Sequence, residues 1–117
     1  MIRHNNENGS VNVSTSVYTD IAGTVASNCF GVKGMAARSV KDGVYHLLRK
    51  ESMSKGVNVQ LHEDDTISID LHIMVDRGVN LGAISDSIMK KVCYDVTNAT
   101  DTTVRAVNVF VDSVNPE

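Results

Sequence analysis

Apolar and polar residues alternate over residues 57–61 and 66–76, and this alternation is the clearest structural signal in the chain. Such a pattern is typical of β-strands that bury one face. Pairing Leu61 with Ile67 places both apolar sets on the same face and leaves the acidic residues 63–65 as a three-residue hairpin loop. The alternate positions are polar on both strands, so we expect helices to cover only one side of the sheet.

Apolar residues at helical spacing predict three helices. The first follows a cap at Ser14 or Ser16 and ends near residues 30–31. The second runs from about residue 36 to 55, and the third follows a cap at Asn80. Two further strands are predicted at 10–13 and 104–112, and residues 31–36 fit a short additional strand as well as the entry to a helix.

These elements predict a two-layer α+β domain with helices packed on one face of a small mixed sheet, in the order β-α-α-β-β-α-β. The chain has 117 residues, enough for one domain with its own core, and we place that domain at residues 9–114. Residues 1–8 are polar and are expected to form a disordered tail. Residues 115–117 form a second short tail.

The net charge of −3 is unevenly distributed along the chain. Residues 33–55 carry six basic and two acidic side chains, a local charge of +4, while the remainder carries −7. A basic band on an acidic protein indicates contact with an anionic partner, although a solvated helix face gives the same pattern. The candidate contact residues are Lys33, Arg38, Lys41, Arg49 and Lys50.

Four residues of the chain, Gly31, Val32, Lys33 and Gly34, have the G-x-x-G spacing with which KH-type domains clamp an RNA backbone. They lie between the first two predicted helices, where such domains carry their clamp. At an average glycine content of roughly 7%, however, this spacing arises by chance in about every other chain of this length. Single-stranded RNA binding is therefore the alternative function, and a turn into a core strand is the other interpretation of the segment.

Residues with catalytic or metal-binding chemistry do not converge in the predicted fold. In the predicted hairpin, His62 lies opposite Thr66, and His72 follows six residues later on the same strand. At 3.3 Å per residue the two imidazoles are about 20 Å apart, too far to share one zinc ion. No serine has a nucleophile-elbow context, and no glycine-rich phosphate loop is present. Cys29 and Cys93 are expected to be free thiols beside apolar positions. We therefore predict no enzymatic activity, no metal and no cofactor.

The apolar runs are too short to span a membrane, and the N-terminus lacks the apolar core of a secretory signal. Both features favour a cytoplasmic protein without a transmembrane segment.

Four segments resemble the alkaline shock protein family, the envelope stress response proteins of Gram-positive bacteria. They are "GSVNVSTSVYTDIAGTVASNCFGVKGMA", "KGVNVQL", "ISIDLHIMVDRGVN" and "VRAVNVFVDSV", and the resemblance covers residues 9–114. The segment "TNATDTTV" departs from it, because the family pattern has a glycine and an apolar residue before the last strand. The stretch "KDGVYHLLRKESMSKGV" is similar to that of the small, soluble members.

The resemblance implies a non-enzymatic role in envelope stress response and cell-envelope homeostasis. It further implies a cytoplasmic homo-oligomer, recruited in some members to the membrane by a membrane-anchored protein partner. It implies no cofactor and supplies no catalytic residues.

Overall fold

The computed structural model describes residues 2–38, 45–48 and 55–115. Two helices and seven strands lie in these ranges. In chain order they are β1 (Ile2–Asn6), β2 (Gly9–Val13), α1 (Thr15–Ser27), β3 (Val32–Arg38), β4 (Tyr45–Leu47), β5 (Val57–Leu61), β6 (Thr66–Val75), α2 (Leu81–Thr100) and β7 (Thr103–Val114).

Strand β6 is the centre of a five-stranded mixed sheet. Strand β7 pairs with it in parallel along its whole length, from Thr66 to Val75. The opposite edge of β6 is shared, because β5 pairs antiparallel with residues 67–71 and β3 pairs antiparallel with residues 73–75. Strand β4 then pairs with the free side of β3. The predicted pairing of Leu61 with Ile67 is confirmed.

Gly56 lies in a tight space where β3 and β5 meet end to end on the edge of β6. A β-carbon on Gly56 would lie 3.0 Å from the carbonyl oxygen of Ala36 and 3.2 Å from that of His72. Both neighbours are backbone atoms of paired strands and would have to shift by a few tenths of an ångström. Glycine therefore fits this junction without displacing either strand.

The core lies between one face of β6 and the two helices. Every second side chain of β6 is completely buried, namely Ile67, Ile69, Leu71, Ile73 and Val75. Helix α1 packs over β3, β5 and β6, while α2 packs over β7 and beside α1. Both helices lie on the face that the alternation predicted to be buried, which confirms the two-layer α+β class.

Residues 2–13 form a hairpin, so the prediction of a disordered tail over residues 1–8 is wrong for β1. Strands β1 and β2 pair antiparallel, with Ile2 opposite Val13, and both of these side chains are buried. The single apolar residue Ile2 anchors the strand, while Glu7 and Asn8 close the turn. One apolar residue at a chain end is too little signal to predict this from sequence.

The buried hydroxyl of Thr102 links the β1–β2 hairpin to the rest of the domain. Thr102, which is 1% exposed, lies 2.7 Å from the Tyr18 hydroxyl and 3.1 Å from Nε2 of His4. It also donates to the carbonyl oxygen of Thr100. Elements far apart in sequence thus meet at one polar group in the junction between α2 and β7, and burial of such a group requires these partners.

The predicted second helix, from about 36 to 55, is wrong where the structure describes the chain. Residues 36–38 belong to β3 and residues 45–47 belong to β4, while residues 39–44 and 49–54 of the predicted helix lie outside the described residues. The short strand considered over residues 31–36 is instead confirmed by β3. Residues 36–38 of β3 pair with residues 45–47 of β4, so strand pairing overrides a weak helical pattern. The observed order is β-β-α-β-β-β-β-α-β.

Both cysteines are free thiols, as predicted. Cys29 follows α1 and is buried, and this burial raises the pKa of its thiol. Cys93 lies on α2 and is partly exposed.

Replacing Ile69 by Asp tests the central position of β6. We expect the free energy of unfolding to fall by roughly 4 kcal/mol or more, because an unpaired carboxylate would be buried among apolar side chains. The matched control is Gln60→Asp, at an exposed position of the adjacent strand opposite Ser68, which should change the value by less than about 0.5 kcal/mol. Chemical denaturation measures both, and an Ile69→Asp variant as stable as the control would contradict this core.

Candidate interaction surface

The G-x-x-G segment forms the entry to β3 and its first residues. Gly31 adopts a left-handed conformation with φ of +84°, and its carbonyl oxygen accepts a hydrogen bond of 2.9 Å from the Asp76 backbone N–H. Val32 is buried and pairs with Val75, and a shift in register leaves Lys33 without a partner before Gly34 pairs with Met74. The backbone of this segment therefore pairs within the sheet.

The described residues therefore lack the open loop between two helices on which the RNA-clamp hypothesis depends. A KH-type clamp is an open loop between two helices, but α1 is followed here by a paired strand. Of the four candidate clamp residues Gly31, Val32, Lys33 and Gly34, only Lys33 is exposed.

Of the five candidate contact residues in the basic band, the structure describes the side chain of one only. Lys33 projects from β3 into solvent. The side chain of Arg38 and the whole of Lys41, Arg49 and Lys50 lie outside the described part of the chain. The proximity of these five residues to one another thus remains a prediction.

The outer face of the sheet, which no helix among the described residues covers, carries side chains that bond across β6 and β7. The imidazole of His72 stacks on the ring of Phe110 with a centroid distance of 4.8 Å, and its Nδ1 lies 2.9 Å from Oδ2 of Asp112. The amide of Asn108 donates to Oδ1 of Asp70 at 2.8 Å. This face is a polar surface held in fixed orientation, with an exposed aromatic ring at Phe110.

The loop between β5 and β6 is attached to the same strand. Arg105 of β7 donates to Oδ2 of Asp64 at 2.9 Å, and the hydroxyl of Thr66 donates to Oδ1. The hydrogen bond from Thr66, followed by that from Arg105, lowers the pKa of Asp64 to about 2. The carboxylate is therefore charged at neutral pH and pairs with the Arg105 guanidinium at the surface.

The second edge of β7 pairs with no strand among the described residues. Strand β7 has twelve residues, and its Val107, Val109 and Val111 are only partly buried, although their neighbours on β6 are completely buried. The outer edge of the five-residue strand β5 is likewise without a partner in the part of the chain described. An open edge exposes backbone groups that can pair with another strand.

A flank of α2 lies above the open edge of β7. Because α1 packs against the opposite side of α2, the flank with Met89, Cys93 and Thr97 faces away from α1, toward that edge. Met89 is 38% exposed, and Cys93 is partly exposed. An open groove of about 530 Å³ crosses the solvent side of α2, from Met89, Cys93 and Thr97 to Lys90, Tyr94 and Asn98 on the other side of the helix. We call Met89, Cys93 and Thr97 the α2 flank.

Sequence reasoning found the polar face of the sheet but missed the contacts upon it. The alternation in β6 places Asp70 and His72 on the outer face. Their partners Asn108, Phe110 and Asp112 depend on the parallel register of β6 and β7, which connects residues about 40 positions apart and contains two shifts. No local pattern encodes that register.

Of the helices in the described residues, none is long and apolar enough to cross a membrane.

Two adjacent substitutions separate a structural role of the G-x-x-G segment from RNA binding. Val32→Asp should lower the free energy of unfolding by roughly 3 kcal/mol, since it buries a charge beside Val75. Lys33→Asp should change it by less than about 0.5 kcal/mol, because this side chain is exposed. Thermal denaturation measures both values. Salt-sensitive binding of single-stranded RNA that is lost in a folded Lys33→Asp variant would instead favour the clamp.

Comparison with known proteins places the chain in a family. The model of the alkaline shock protein family, described as having a "cell envelope-related function", matches residues 3–116. YloU of Bacillus subtilis is 36% identical over 107 residues, covering 91% of this chain and 88% of that protein. Spy1614 of Streptococcus pyogenes serotype M6 is 33% identical over 114 residues, covering 97% of this chain and 93% of that protein. Both relatives are named as uncharacterized proteins.

A solved structure of MamM CTD gives a TM-score of 0.49 at 13% sequence identity, over 84% of this chain and 93% of that chain. This likeness carries no argument about function. The family match and the two relatives confirm the resemblance seen in the sequence, and the chain belongs to the alkaline shock protein family, whose described function is related to the cell envelope.

Proposed function

We propose that the protein serves cell-envelope homeostasis without catalysis, by associating with itself and by binding a partner protein. The family supports the envelope-related role. The observation that carries self-association is the open edge of β7, which is twelve residues long and has no strand partner among the described residues.

An open strand edge favours association for a physical reason. Its unpaired N–H and C=O groups can form a ladder with another strand, and side chains on both faces then gain neighbours. In β7 these side chains include the half-buried Val107, Val109 and Val111. A second strand would remove them further from water, and burial of apolar surface stabilises an interface.

The outer face of the sheet supports the binding of a partner. Cross-strand contacts hold His72, Phe110, Asn108 and Asp70 in place before any partner arrives. A preordered surface loses less side-chain entropy on binding. On this proposal the protein acts in the cytoplasm, and a membrane-anchored partner that binds the outer face brings it to the envelope.

The described residues give less support to catalysis or RNA binding. No group of three or more His, Cys, Asp and Glu side chains within them is arranged to hold a metal ion. The ring of His72 lies between Phe110 and Asp112 as part of the cross-strand contacts. The G-x-x-G segment is paired backbone at the start of β3.

Size-exclusion chromatography with light scattering tests self-association directly. Over a concentration series reaching high micromolar, the mass should rise from that of one 12.7 kDa chain to at least twice that value. The midpoint should depend weakly on salt, because the proposed contact is made of backbone groups and apolar side chains. A mass that stays at one chain throughout the series would contradict the proposed function.

A further inference from the structure

We infer that the protein forms a closed two-fold dimer in which β7 pairs antiparallel with β7 of a second copy, centred on Asn108, with the two α2 flanks in contact above the junction. The inference rests on the proposed self-association and specifies its surface.

The usable part of the β7 edge is a six-residue segment. The register between β6 and β7 shifts twice, so that Arg105 and Asp112 have no opposing residue on β6. Register shifts and charges disfavour the addition of a strand. Between them, residues 106–111 run in regular register over roughly 20 Å. These residues form the segment that another strand can join.

The α2 flank adds apolar surface beside the strand edge. A stable interface buries about 800 Å² on each partner, more than six residues of strand edge provide. Met89 and the partly exposed Cys93 extend the apolar surface from the edge valines onto the helix. Asp86 and Lys90 border the flank and form an ion pair of 3.0 Å, so they add no net charge to a contact between identical surfaces.

A second copy of the chain is complementary to each part of this surface. The occupant must offer an open strand edge, apolar side chains on the helix-covered face and an apolar helix flank above them. The same surface of another copy offers each of these when it is related by a two-fold axis perpendicular to the sheet. Both helices then lie on the same side of one continuous sheet, and the interface closes on itself.

The alternation of faces restricts the register of the pair. Directly opposed residues of antiparallel strands point to the same face. Val107, Val109 and Val111 must therefore oppose members of their own set, so the axis passes through a residue rather than between two residues. If the axis passes through Asn108 or Val109, five of the six segment residues lie opposite a residue of the partner's segment, and every other position of the axis pairs fewer.

The outer face favours the centre at Asn108. There the ring of Phe110 lies opposite the partner's Ala106, which leaves room for it, and the two Asn108 side chains oppose each other. Each amide keeps hydrogen-bonding capacity beyond its contact with Asp70. A centre at Val109 would instead set Phe110 against the partner's Asn108, an apolar ring against an amide.

Single cysteines test this register in full-length protein that also carries Cys93→Ser, so that the buried Cys29 is the remaining native thiol. Asn108→Cys should form a disulfide-linked dimer under mild oxidation, and the link should fail to form in denaturant at the same protein concentration. The matched control is Asn58→Cys, at an exposed site on the open-edged strand β5, which should remain monomeric on a non-reducing gel. An equal mixture of the two variants should give only Asn108–Asn108 dimers.

Each alternative result overturns the inference in a recognisable way. A linked product between positions 58 and 108 would show that β5 pairs with β7, an arrangement that can grow into a filament. An oligomer without a link at position 108 would place the interface elsewhere, while self-association itself would stand. A wild-type chain that stays monomeric in light scattering would contradict the proposed function together with this inference.

Substitution on the helix tests the second part of the surface. Met89→Glu should weaken dimerisation at least tenfold, while Gln60→Glu, which adds the same charge at an exposed position of β5, should leave it unchanged. Far-UV circular dichroism should show that both variants are folded. A Met89→Glu variant that dimerises like the wild type would remove the α2 flank from the interface.

Discussion

Burial of one face of β6 is the interaction on which the rest of the structure depends. Its five inward side chains have no exposure to solvent, and every other layer is arranged around them. Strand β7 covers one edge, β3 and β5 together cover the other, and the two helices cover the face. Gly56 fits the shared edge closely, because a β-carbon there would press on the backbone of both neighbouring strands.

This arrangement determines which surfaces remain for binding. With both helices on one side, the opposite side of the sheet stays uncovered, and cross-strand contacts such as the stacking of His72 on Phe110 hold it in order. With β6 paired on both edges, β7 becomes an outer strand whose valines lack neighbours on one side. The proposed function in assembly rests on these two consequences rather than on any single reactive group.

The sequence predicted the elements whose signals are local. The register of the β5–β6 hairpin follows from alternation, and Asn80 caps α2 as expected, since its side chain accepts a hydrogen bond from the Ala83 N–H. Strand pairs between residues far apart in the sequence were not predicted. Residues 36–38 and 45–47 lie in a helix-like pattern of apolar side chains but pair with each other as β3 and β4, and β1 depends on Ile2 alone. The parallel register of β6 and β7, which creates both the outer-face contacts and the open edge, has no local signature.

The most direct test is amide hydrogen exchange, measured residue by residue at low and high protein concentration. It shows whether a sheet that helices cover on one face leaves the β7 edge open. The amides of β6 should exchange most slowly at both concentrations, because they open only with the whole domain. Outward-facing amides within residues 106–111 should exchange rapidly in dilute solution and slowly at high concentration, while those of α1 should not respond. Protection of residues 106–111 that is strong and independent of concentration would show that the edge is already covered within one chain and would contradict the account.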